Sequence, residues 1–198
     1  MPHQTPTHLD PRSPLVLDTV DLPRRPGAMR AVDRTVPAPA GVGLELIGVP
    51  PGSGLTLALR MESVSEGVLV SGHVTGTIEG ECGRCLRPIS TALDVEIQEL
   101  YAYEHSTTDE TTDPDEVGRL QGDLIDLEPV LRDMVVLALP TNPLCRDDCP
   151  GLCPECGVHW DELTDDHGHD QVDPRWATLT QLTPTQLTPT QLTPKIEE

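Results

Sequence analysis

The chain has 198 residues, of which 36% are apolar and 2% aromatic, with no Phe, 21 Pro and 16 Gly. That composition fits one domain with tails, and its core has to come from Leu, Val and Ile. The formal charge is −20, split −4 over residues 1–100 and −16 over residues 101–198. This argues against unaided binding to a phosphate backbone and suits basic partners. The first residues, Met-Pro-His-Gln-Thr-Pro-Thr-His, lack the charged leader and apolar run of a signal peptide. Nowhere do about eighteen apolar residues follow one another, so no membrane span is expected and the expected location is cytoplasmic.

Residues 1–14 read as a disordered leader, and Leu15-Val16-Leu17 as a first short strand. The segment from Leu22 to Arg30 is turn-rich, and Arg24, Arg25, Arg30 and Arg34 read as loop arginines balancing Asp21 and Asp33. Strand patterns run from 44 to 103. Leu55, Leu57, Leu59 and Met61 alternate with other residues at the two-residue period of a half-buried strand. Val68 to Glu81 reads as a long strand whose Gly72, Gly76 and Gly80 predict bends or bulges. Cys82 to Pro88 forms a tip, and Ile89 to Tyr103 returns, with Leu93, Val95 and Ile97 on one face. Strands joined by short turns predict an antiparallel sheet, curled or a partial barrel.

Residues 104–122 are acidic and aperiodic, and read as a solvated loop. The one clear helix is expected over Asp123–Leu139. Leu127, Val130, Leu131, Met134, Val135 and Ala138 form its apolar stripe, Asp126 caps it, Pro129 sits in the first turn and Pro140 stops it. Its stripe should close one face of the sheet, completing an α+β domain over residues 15–140. A Cys-rich extension, 141–180, follows. Asp173–Leu179 reads as a capped short helix with Trp176 docked, and 181–198 as a disordered Leu-Thr-Pro-Thr-Gln repeat.

The chemistry lies in the cysteines. Cys153-Pro-Glu-Cys156-Gly157 has the form of a zinc knuckle: two thiolates two residues apart, then a glycine that lets backbone N–H groups turn toward the sulfurs. Cys145 and Cys149 precede it, and Cys82-Gly-Arg-Cys85 lies about sixty residues upstream. Tetrahedral zinc takes four such ligands. The expected set is Cys145, Cys149, Cys153 and Cys156; the alternative joins Cys82 and Cys85 to Cys153 and Cys156. His159 is a possible substitute ligand, but His159, His167 and His169 among their aspartates read as a polar loop. A thiol redox or metal-sensing use of Cys82 and Cys85 is the rival, although no βαβ pattern surrounds either pair. No Gly-x-Ser-x-Gly elbow, phosphate-binding Gly-rich loop or His-Glu-x-x-His pair is present, so neither catalysis nor a small-molecule substrate is expected.

Glu81 to Ile89, Asp126 to Pro140, the Cys145–Gly157 cluster and Asp173-Pro-Arg-Trp-Ala177 together resemble the YceD family. Its members are named large ribosomal RNA subunit accumulation proteins, and were earlier described as predicted metal- and nucleic-acid-binding. The resemblance spans roughly 15–180. It implies a non-enzymatic role in making or stabilising large-subunit ribosomal RNA during ribosome assembly. It also implies partners that are that RNA or a ribosomal protein, met at the tip by Arg84 and Arg87. Family members with the tip but without the later cysteines imply that Cys145, Cys149, Cys153 and Cys156 form a self-contained quartet. A zinc-stapled protein–protein adaptor is a further reading.

Overall fold

Alternating apolar residues set the architecture. In the computed structural model, which describes residues 9–104, 106, 117–169 and 175, strand β5 (Gly54–Ser63) buries Leu55, Leu57, Leu59 and Met61 and exposes most residues between them. It pairs antiparallel with β6 (Gly67–Glu81), which forms a fifteen-residue hairpin arm with β7 (Pro88–Ala102). On the other side of β5 lies β2 (Met29–Pro37). Beyond the reach of β5, β6 pairs instead with β4 (Ile47–Val49), which carries β3 (Val42–Gly43). A two-residue β8 (Gly118–Arg119) runs parallel to the end of β7. This seven-stranded sheet is open, with no barrel closure. A separate two-stranded ribbon joins β1 (Val16–Asp18) to β9 (Leu124–Asp126).

Helix α1 (Glu128–Ala138) is the α-helix among the described residues, and it packs on β7 and β3. Leu127, Leu131, Val135 and Leu139 are buried against the core leucines and valines of the sheet, and Val130 and Met134 pack on its margin. Ala138 is exposed. Arg132 turns out to strap the helix down. Its guanidinium donates to Glu128 Oε1 and to the carbonyls of Ala40 (2.8 Å) and Gly41 (2.8 Å).

Four expectations need correction. The helix begins at Glu128, because residues 124–126 are committed to β9; its N-cap is Leu127, which has no capping side chain, and Asp126 stands one residue earlier, its Oδ1 accepting from the Glu128 N–H at 3.0 Å. Residues 29–37 form β2. Its inward positions include Arg30 and Arg34, whose guanidiniums donate to the carbonyls of Asp18, Pro14 and Val16 and so bind the β1 segment. The glycines of β6 make no bulge, since its register with both neighbours is unbroken. Gly72, at φ +140°, is there because a Cβ would strike the Ala58 carbonyl. Gly118 and Arg119, within the expected acidic loop, are strand.

Two compact units divide after Gly151: residues 1–151 and 152–198. In the second, Leu152 bridges antiparallel to His159, and Trp160–Glu162 form one 3₁₀ turn. The expected leader (1–8 of it), the short helix at 173–179 apart from Arg175, and the repeat tail lie outside the described residues.

Candidate metal centres

At the tip of the β6–β7 arm the chain must reverse between Glu81 and Pro88. Cys82 N–H donates to the Arg87 carbonyl (2.9 Å) and Leu86 N–H to the Cys82 carbonyl (2.9 Å). Leu86 takes the left-handed conformation, φ 60°. The turn holds Cys82 and Cys85 side by side, and both are buried. Pro140 ends α1 and sends the chain past this tip, where the Pro143 carbonyl accepts from Gly83 N–H at 2.8 Å. Arg84 Nη1 donates to the Cys149 carbonyl at 2.9 Å. Cys145 and Cys149 are thereby delivered to the first pair.

The four sulfurs of Cys82, Cys85, Cys145 and Cys149 lie within 4.8 Å of one another. Cys82 Sγ is 3.8 Å from Cys149 Sγ, and Cys85 Sγ is 3.6 Å from Cys145 Sγ. A disulfide needs about 2.05 Å. Four sulfurs at about 2.3 Å from a tetrahedral ion sit about 3.8 Å apart, and the observed edges fit that figure. Burial opposes charge on Cys82, but backbone N–H groups of Cys145, Arg84 and Cys85 aim at its sulfur and bring its pKa down to about 6. Burial and the neighbouring thiols push Cys145 up to about 12, and burial raises Cys149. Backbone donors thus favour charge on the Cys82 sulfur and burial disfavours it on Cys145 and Cys149, an imbalance that a shared cation would relieve.

The second unit contains the knuckle. Gly157 N–H donates to the Cys153 carbonyl and Cys153 N–H to the Val158 carbonyl, both at 2.8 Å, with Gly157 at φ 71°. His167 and His169 face Cys153 and Cys156. Cys153 Sγ lies 3.3 Å from His169 Nε2, Cys156 Sγ lies 3.6 Å from His167 Nε2, and the two Nε2 atoms are 2.9 Å apart. Backbone N–H groups of Cys156 and Glu155, with the His167 side chain, lower Cys153 to about 6 against the opposing effect of burial.

Neither expected ligand set is assembled. The Cys145–Cys156 run is shared between two clusters, because the chain after α1 meets the arm tip first. Cys82 and Cys85 group with Cys145 and Cys149, and Cys153 and Cys156 with His167 and His169. His167 and His169, read as loop residues, belong to a cluster; His159 does not. The signal that finds both sets is arithmetic: each CxxC supplies two ligands and requires two more. Arg84 is at the tip as expected, with its guanidinium engaged by the cysteine loop; the Arg87 carbonyl helps form the turn. No helix among the described residues is long and apolar enough to cross a membrane.

Comparison with known proteins adds the following. A family model described as large ribosomal RNA subunit accumulation protein YceD matches residues 70–183. An uncharacterized protein of Mycobacterium tuberculosis is 52% identical over 172 residues, covering 86% of this chain and 82% of the relative. One from Mycobacterium leprae is 46% identical over 170 residues, covering 86% and 78%. The Bacillus subtilis protein YlbN is 31% identical over 111 residues, covering 54% and 63%. No solved structure matches.

Proposed function

Because the chain belongs to the YceD family of large ribosomal RNA subunit accumulation proteins, we propose that it is a non-enzymatic, zinc-stabilised factor. In this reading it acts in the cytoplasm to promote large-subunit ribosomal RNA accumulation and ribosome assembly. The observation that carries the reading is the Cys82, Cys85, Cys145 and Cys149 cluster, which ties the exit of α1 to the tip of the longest sheet arm. Sulfur-only donors favour zinc, and four of them leave a tetrahedral ion no open position for water, so the role is structural. A rigid tip then presents Arg84 and Arg87 toward ribosomal RNA or a ribosomal protein. The charge of −20 favours a contact shared with a basic ribosomal protein over one made by RNA alone. Redox use of Cys82 and Cys85 is disfavoured: Cys82 has the lowered thiol pKa that exchange requires, yet both residues are buried.

Cosedimentation tests the proposal. The chain should migrate with large-subunit precursors in sucrose gradients, and Arg87→Ala, with Arg84 kept on the Cys149 carbonyl, should shift it toward free protein. Migration only as free protein, with normal large-subunit ribosomal RNA after deletion of the gene, contradicts it.

A further inference from the structure

We propose that the C-terminal unit holds a second divalent metal ion, bound by Cys153, Cys156, His167 and His169 and separate from the ion at the arm tip. Three features of this unit converge on it.

The first is donor geometry. Around a tetrahedral zinc with two sulfurs and two nitrogens, sulfur–nitrogen edges are about 3.5 Å and the nitrogen–nitrogen edge about 3.3 Å. The measured edges are 3.3 and 3.6 Å for sulfur to nitrogen, and 2.9 Å between the nitrogens. Two sulfurs and two Nε2 atoms from four side chains lie within 4.8 Å of one another, a convergence of metal-ligating atoms that pairwise hydrogen bonds do not require. One shared cation uses them all.

The second is the local backbone. Gly157 takes the left-handed turn after Cys156, and N–H groups of Glu155 and Cys156 point at the Cys153 sulfur. That arrangement sets backbone donors against the sulfur and holds the two knuckle cysteines in one turn. The Trp160 ring meets His167 edge-on with centroids 5.6 Å apart, which fixes the orientation of that imidazole.

The third is the poverty of other cohesion. Between 152 and 169, Cys153 is the buried apolar residue, while Val158 and Trp160 are exposed. These described residues bury little apolar surface among themselves, and a metal is the usual remedy for such a segment. Two thiolates and two neutral imidazoles give a formally neutral zinc site, whereas the tip cluster with four thiolates carries −2. The two ions therefore sit in chemically distinct shells.

The test is zinc per chain by elemental analysis, on full-length protein purified under reducing conditions and dialysed to remove loosely held metal. Wild type should hold two ions, His167→Ala/His169→Ala one, and Cys145→Ser one. His167→Cys/His169→Cys should restore two. Cobalt substituted into that variant should show a stronger thiolate charge-transfer band than in wild type. Wild type holding a single ion that Cys145→Ser removes and the histidine variant keeps would overturn this proposal while sparing the tip site. A single ion lost only in the histidine variant would uphold it and remove the tip site. Two ions retained in His167→Ala/His169→Ala would overturn it directly.

Discussion

Removing metal from the arm-tip cluster should release residues 142–151 while the sheet stays folded. Ordering ten residues costs roughly 10–20 kcal/mol of conformational entropy. Against this the segment has the Gly83–Pro143 and Arg84–Cys149 hydrogen bonds, together about 2–4 kcal/mol. Burial of Pro143 and Cys149 adds about 3 kcal/mol. The shortfall is roughly 3–15 kcal/mol, which a structural zinc worth about 10–16 kcal/mol covers. The core of Leu55, Leu57, Met61, Val70, Val74, Leu131 and Val135 involves no cysteine, so it survives. Hydrogen exchange with and without chelator, thiols kept reduced, is the assay. Amides of Cys145, Cys149 and Gly151 should exchange at least about a thousandfold faster without metal, a loss of about 4 kcal/mol. Amides of β5 to β7 should change little. Unchanged protection of the 142–151 amides in metal-free, reduced protein would refute the reasoning.

Leu131→Ala, at a side chain 1% exposed, should cost about 2–5 kcal/mol and lower the urea midpoint; an unmoved midpoint would show that α1 does not close the core. Metal retention should depend on pH with a definite sign. Cys82 and Cys153 both fold with pKa lowered from 9.0 to about 6, so their thiolate-dependent stabilisation is full above pH 9 and lost as pH falls through 6. Zinc content after dialysis should therefore drop between pH 6 and pH 4; constant content across that window contradicts thiolate ligation. Gly157→Ala, at φ 71° with open space around it, should weaken zinc binding by the C-terminal unit by about 1 kcal/mol through backbone strain alone. Competition with a metallochromic chelator measures it, and unchanged affinity would show that the knuckle turn is not needed.

The sheet was legible wherever burial alternates cleanly. Leu55 to Met61 and Leu93 to Ile97 announce their inward faces, and the stripe from Leu127 to Val135 announces the helix. β2 hid because two of its inward positions are arginines, and an inward Arg that donates to a neighbouring backbone erases the alternation. β9 hid because Leu124 and Ile125 continue the apolar text of the helix, although the ribbon with β1 claims them. The ligand sets hid for a different reason. Adjacency along the chain favours a quartet within Cys145–Cys156, whereas the tertiary path past the arm tip decides which sulfurs meet. Only the fold brings Cys82 to Cys149, 67 residues apart. His167-Gly-His169 was readable as a ligand pair once each CxxC is counted as half a site.

X-ray absorption at the zinc edge of the purified, full-length chain tests the central claim most directly. One site with four sulfurs and one with two sulfurs and two imidazoles average to three sulfurs at about 2.3 Å and one nitrogen at about 2.0 Å per zinc. A shell dominated by oxygen, or protein that stays folded at the tip with no bound metal, would contradict the account.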